Sequence, residues 1–435
     1  KYYLNRKNMK KNITILLSLF FLINFTELNA NSLKESLNLA YQNNNKLNAE
    51  RANLRATRAE QEGSLSEFKP SITISGYVSE QDNTKTTGTK DTNIGPTEQS
   101  ILIEQKIFQS FGGLAKVKKE KFNYNLSKFK LKKVEQETLL AAAKAHTDYL
   151  LNEKKVQINN INIDLLERQI DSDKNRLERG EINLTDLAQS EASLAGARAK
   201  LIAAQNDLIT SKANFENIIG ISPSKDFNSE NSVIFNLPKN LAESIKISEH
   251  ENPDIKIAQL EYEKSQQDII IARSDLSPSA TLSYKLSEQE DVSSTVKDRT
   301  QQTLKATATW PLYSGGSNYS NLKKAKELKG QKELLLEDNK KIIKTKVVNA
   351  WSSFQSNKSV LNSIRSQVKA AEIANEGITQ EYETGSSRTT LEVIQSRTIL
   401  LESRINLATS ERDYLISQFD LLASIGRLTA GHLDL

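Results

Sequence analysis

Beyond Pro70 the chain alternates with period two: Ile72, Ile74, Gly76 and Val78 fall on one side, and Thr73, Ser75 and Tyr77 on the other. After the polar stretch 80–99, Ile101, Ile103 and Ile107 alternate with Glu104 and Lys106. The pattern returns further on. Ala280, Leu282, Tyr284 and Leu286 oppose Thr281, Ser283, Lys285 and Ser287; beyond the polar stretch 288–302, Leu304, Ala306, Ala308 and Trp310 oppose Lys305, Thr307 and Thr309. Strands are therefore predicted over 70–79, 100–108, 278–287 and 303–312. Such two-faced strands suit a membrane barrel, apolar to lipid and polar to lumen, or the half-exposed hairpin of a soluble protein.

Between the strand pairs the period changes to seven. Leu187, Leu194, Leu201, Leu208 and Phe215 form one stripe, and Val393, Leu400, Leu407, Tyr414 and Leu421 form a second. Sustained heptads predict coiled-coil packing, and the neighbouring Ser190, Ala197 and Ala204 would let helices approach closely. The stripes close two helical hairpins: a long helix 113–179 with 184–219, and a long helix 316–384 with 389–425. Each long helix would run roughly 100 Å at 1.5 Å per residue. The Gly112-Gly113 and Gly315-Gly316 steps are expected to turn the chain from strand into helix.

These elements form one unit written twice. "SLKESLNLA" (32–40) matches "NLAESIKIS" (240–248), and "KPSITIS" (69–75) matches "SPSATLS" (277–283). "IFQSFGG" (107–113) returns as "PLYSGG" (311–316), "LAQS" (187–190) as "VIQS" (393–396), and Gly220 stands opposite Gly426. Each repeat opens with a helix of about 35 residues that stops at Pro70 or Pro278, since proline cannot continue it. The expected organisation is repeat 1 over 31–220, a Ser/Asn/Pro-rich linker over 221–240, and repeat 2 over 241–430.

Composition narrows the compartment and the chemistry. Lys10 and Lys11 precede an apolar run from Ile13 to Ile23, and the stretch closes on Leu28-Asn29-Ala30. That run is about half of the roughly 20 residues a spanning helix needs, so residues 9–30 are expected to be a cleaved secretory signal. Met9 is the sole methionine and the expected start, with cleavage after Ala30. Residues 1–30 carry Lys1, Arg6, Lys7, Lys10 and Lys11 against Glu27, which is four of the net five positive charges. What remains is near neutral and gives no basic face for nucleic acid. With no cysteine there is no disulfide, no thiolate metal site and no lipid-bearing N-terminal Cys. His146, His250 and His432 lie far apart, and no phosphate loop or nucleophile elbow is present, so neither metal, cofactor nor enzyme activity is expected.

Four strands cannot close a barrel, and lipid does not tolerate open edges, so a membrane part would be shared between chains. Eight strands leave an interior filled by side chains; twelve, from three chains, leave a conduit. The secretory leader and the lack of any globular core favour the barrel over the soluble hairpin. The twofold repeat, the Pro-Ser steps, "LYSGG" (312–316) and "ETGSSRTTLEVIQSRTILL" (383–401) closely resemble the TolC family of outer-membrane efflux proteins, over essentially all of residues 31–430.

The resemblance implies an α+β membrane protein of a Gram-negative outer membrane: a homotrimer with a shared twelve-stranded barrel continued by a coiled-coil periplasmic tunnel. It implies a passive exit duct for efflux or type I secretion, working with a periplasmic adaptor and an inner-membrane transporter. It further places a gate latch at Asp186, Tyr382 and Arg388, and adaptor contacts at the tips around Gly180 and Gly385. A tunnel-mouth ring falls on Glu392 and Gln395; Gln395 carries no charge where the family has an acid, so neither strong cation selectivity nor block by multivalent cations follows. The alternative is a non-transporting secreted coiled-coil protein with a structural or adhesive role; the paired two-faced strands, which a spacer does not need, favour the duct.

Overall fold

The computed structural model describes residues 32–84, 92–223, 235–293, 295–384 and 388–435. The expected signal segment 9–30, parts of the 80–99 and 221–240 connections and the Gly385 tip therefore lie outside the described residues. Repeat 1 contains α1 (Leu33–Asn43), α2 (Asn45–Ser64), a 3-10 turn, β1 (Ser71–Val78), β2 (Gln81–Asn83), β3 (Thr92–Ile94), β4 (Thr97–Phe108), α3 (Gly112–Glu178) and α4 (Leu184–Ile219). Repeat 2 contains α5 (Leu241–Glu251), α6 (Pro253–Ser274), β5 (Ser279–Ser293), β6 (Val296–Thr309), α7 (Ser317–Glu383) and α8 (Thr390–Ile425). The two long helices, α3 and α7, have 67 residues each, about 100 Å apiece.

The first helix of each repeat is broken where a single helix was expected. Asn44 and Asn252 stand at φ −64°, ψ 122° and φ −66°, ψ 125°, each ending one helix and capping the next. Asn44 Oδ1 accepts the Leu47 N–H and Asn252 Oδ1 accepts the Asp254 N–H. In repeat 2 the cause is legible: Pro253 pushes the residue before it out of the helical region. Asn252 Nδ2 also donates to the Ser424 carbonyl at 2.8 Å, and Arg427 forks onto Glu251 at 2.6 and 2.9 Å. The main apolar core lies at this level, where Leu37, Leu139, Phe215, Val347, Phe419 and Leu422 meet.

Away from the core the hairpins are thin coiled coils. Of the expected stripe on α4 the ends, Leu187 and Phe215, are buried, but along its middle the buried positions are Ser190, Ala197, Ala204 and Ser211, with Leu194, Leu201 and Leu208 half-buried beside them. Small residues at the centre bring α3 and α4 close, and the larger side chains flank the seam.

β1, β4, β5 and β6 form one antiparallel sheet in that order, so β1 and β6 each lack a partner on one edge among the described residues. The register joins the alternations into two continuous faces. Ile72, Ile103, Tyr284 and Leu304 make one row, and Thr73, Leu102, Lys285 and Thr303 the row behind it. The second hairpin is longer than expected: β5 and β6 have 15 and 14 residues, and their pairing extends to Ser293 and Val296. Glu288 and Glu290 alternate with Gln289 across the sheet, which permits pairing in what reads as a loop by composition.

The turn into α3 also departs from expectation. Gly112 and Gly113 are helical, and the reversal is made by Ser110 and Phe111 at φ +45° and +68°. In repeat 2 the matching reversal is made by Gly315 and Gly316 at φ +61° and +81°. Gly112 serves close approach instead: a Cβ there would collide with Ser274 Oγ, at the end of α6.

Candidate functional site

The helix tips are built from matching parts. α3 ends with Gly180 at φ +73°, its N–H donating to the Leu177 carbonyl and the Glu181 N–H to the Arg176 carbonyl, both at 2.9 Å. α4 then opens on a capping box in which Asp186 N–H donates to Asn183 Oδ1 and Asn183 N–H to Asp186 Oδ2. α8 opens on the same device, formed by Thr389 and Glu392. Asp186 and Glu392 are thus equivalent residues, and each carboxylate is engaged at the start of its own helix.

Arg412 with Asp148 and Lys154 with Glu411 join the two hairpins further up, and a buried set of hydrogen bonds joins them about one turn inside the tip. Asp173, wholly buried, accepts from Tyr382 Oη at 2.9 Å, Ser190 Oγ at 2.6 Å and Gln169 Nε2 at 2.8 Å. The Tyr382 hydroxyl also lies 3.0 Å from Thr390 Oγ1, and the Arg176 guanidinium sits 4.3 Å over the Tyr382 ring. One carboxylate with its partners therefore touches α3, α4, α7 and α8. Burial raises the Tyr382 pKa above its ordinary value, and the neighbouring Asp173 carboxylate adds to that, while Thr390 and Arg176 oppose it. Nearby, Arg397 donates to the Leu165 carbonyl at 3.3 Å, and burial lowers its pKa against the pull of Glu383, Asp173 and Tyr382.

Arg388 lies outside this cluster. Its Nε donates to Glu381 at 2.6 Å and its Nη1 to Glu392 at 3.0 Å, bracketing the turn between α7 and α8 in solvent. Gln395 is exposed. Of the three expected latch residues, the protomer brings only Tyr382 into the buried cluster; its carboxylate partner there is Asp173, with Asp186 in its own helix cap. Sequence reasoning missed Asp173, because its partner Tyr382 is 209 positions away and no motif links them.

At the other end of the molecule the sheet presents an apolar face of isoleucine, leucine, tyrosine and alanine. Ile74 and Leu304 are 78% and 72% exposed in the protomer. Below this face Phe108, Phe111, Trp310, Tyr313 and Tyr319 are exposed together where strands pass into helices. An apolar band edged by aromatic side chains is the signature of a barrel in lipid. No helix among the described residues is long and apolar enough to cross a membrane.

Fold and site define a class: a partial membrane barrel carried on long helical hairpins that are tied at their tips. The profile of the outer membrane efflux protein family matches residues 36–221 and 245–427, one segment in each repeat, and the chain belongs to that family. It is 26% identical over 405 residues to outer membrane efflux protein BepC of Brucella suis biovar 1 (strain 1330), covering 93% of this chain and 87% of BepC. It is 23% identical to outer membrane protein TolC of Escherichia coli (strain K12) over 276 residues, 60% of this chain and 55% of TolC. The fold superposes on the Campylobacter jejuni CmeC outer membrane channel with a TM-score of 0.81 at 14% identity, over 91% of this chain and 86% of that one. The protein is accordingly an outer-membrane efflux channel whose helices extend into the periplasm.

Proposed function

We propose that three copies of the chain close a twelve-stranded barrel and form a passive exit duct, opened by a periplasmic adaptor and driven by an inner-membrane transporter. The observation that carries this reading is the sheet: two-faced over the part that holds Ile72, Ile103, Tyr284 and Leu304, with both edges unpaired among the described residues, and continuous with helices about 100 Å long. Lipid leaves such edges no partner but another copy, and helices of that length reach far across a periplasm.

Within this reading the tips are the gate. The Asp173–Tyr382 cluster holds the two hairpins of a protomer together, and Arg388, Asp186, Glu392 and Gln395 line the mouth around it. The turns at Gly180 and Gly385 are the adaptor contacts. The test is reconstitution in planar bilayers: the purified protein is expected to insert and conduct, with a heat-modifiable trimer band on electrophoresis. A soluble protein that neither inserts nor conducts would sink the duct.

A further inference from the structure

The four strands carry five basic side chains, Lys106, Lys285, Lys297, Arg299 and Lys305, and all five fall on the polar face of the sheet. Glu98 and Glu104 share that face; Glu288, Glu290 and Asp298 fall on the other. Five cations less two carboxylates leave an excess of three positive charges per chain on the lumen side. Asp291 belongs to neither row: it sits in a bulge at φ +51° and accepts the Gly95 N–H.

The balance is cancelled only in part, at Lys285 and Lys106. Glu98 is held by Lys285 and by Gln289, whose Nε2 donates to it at 2.9 Å, and Lys106 faces Glu67 at 3.3 Å. Lys305 and Arg299 are exposed and make no ion pair among the described residues. At the opposite end of the molecule Gln395 is neutral and Glu392 is engaged by Arg388 and Thr389.

Geometry decides whether wall charges matter. Twelve strands spaced about 4.8 Å apart and tilted about 40° give a barrel of roughly 12 Å radius. Side chains narrow this further. The screening length is about 10 Å at 0.1 M salt and about 3 Å at 1 M. The wall field therefore reaches the lumen axis in dilute salt and is lost in concentrated salt.

We propose that the barrel is an anion-favouring exit, that Lys305 and Arg299 are specificity-determining residues of export, and that anionic solutes are the favoured cargo class. The inference rests on the duct reading above. It is tested on the full-length protein in planar bilayers under a tenfold KCl gradient. The parent is expected to pass chloride in preference to potassium at about 0.1 M, with the ratio moving toward one near 1 M. Lys305→Gln with Arg299→Gln is expected to lower the chloride-to-potassium ratio at least twofold, with single-channel conductance and the heat-modifiable band retained. Lys305→Gln alone, at an exposed position, supplies the same readout with a smaller change if the double variant assembles poorly. A cation-preferring parent, or a conducting variant with unchanged ratio, overturns the inference and leaves the duct standing. Failure of the parent to conduct at all overturns both.

Discussion

At Asp173 and Tyr382, burial gives a hydrogen bond far more weight than the exposed bonds of Arg388 carry. Tyr382→Phe keeps the ring and its contact with Arg176 but removes the hydroxyl shared by Asp173 and Thr390. A hydrogen bond to a charged group is worth about 1.5–3 kcal/mol, and the carboxylate left behind is buried. The variant is expected to raise closed-state conductance several-fold and to speed amide exchange through the α7–α8 turn. A Tyr382→Phe channel as tight as the parent would remove the cluster from the gate. Asp186→Ala with Arg388→Ala is expected to raise conductance less, since water screens the Arg388 pairs and Asp186 serves its own helix cap. The two sets of variants, measured side by side, rank the buried tie against the exposed one.

The helices and their junctions carry two further expectations. His146 on α3 is buried beside Ser36 Oγ, 2.8 Å from its Nδ1, and burial lowers its pKa from 6.5 to about 4. A depressed histidine binds fewer protons folded than unfolded, so its contribution is complete above pH 6.5 and is lost as the pH falls toward 4. Between pH 8 and pH 5 the core should lose roughly 2 kcal/mol from this group, read as a lower urea midpoint. His146→Leu should flatten that dependence; an unchanged slope would place the acid sensitivity elsewhere. Gly112→Ala drives a methyl into Ser274 at the α3–α6 crossing, an overpacking of about 1–3 kcal/mol that should lower the yield of assembled protein. Ser274→Gly in the same chain should restore the yield, and failure of that rescue would point away from the contact. These elements also show what was readable in advance. The strands were legible because period two survives in all four, and the seams because period seven persists. The Asn44 break carries no proline and went unread, whereas Pro253 was a signal available beside Asn252. The Ser110–Phe111 reversal was hidden by the adjacent Gly-Gly, which suggests a turn but serves packing. Asp173 was illegible for a different reason: a buried pair between distant helices leaves no local pattern.

Across the whole molecule, the number of chains in the ring follows from what the two free edges can reach. Within one chain β1 and β6 are separated by β4 and β5, three spacings of about 4.8 Å, or roughly 14 Å. A disulfide needs Cα atoms closer than about 7 Å, so cysteines placed on β1 and β6 cannot bond within a protomer. The chain contains no cysteine of its own, so any disulfide formed reports those two positions alone. Pairing one cysteine on β1, at Thr73 or Ser75, with one on β6, at Thr303, Lys305 or Thr307, samples the possible registers across the joint. On oxidation a ring of three should give dimer and trimer bands and no larger product, because a closed symmetric ring has no free edge left. A ladder that stops at two chains would mean eight strands, whose interior side chains fill, and would remove the conduit. Bands continuing past three would mean an open array of sheet edges, which lipid does not tolerate. A terminal trimer joins the two unpaired strands, the apolar outer face and the basic inner face in one wall, with the lumen charges of three chains around a single opening.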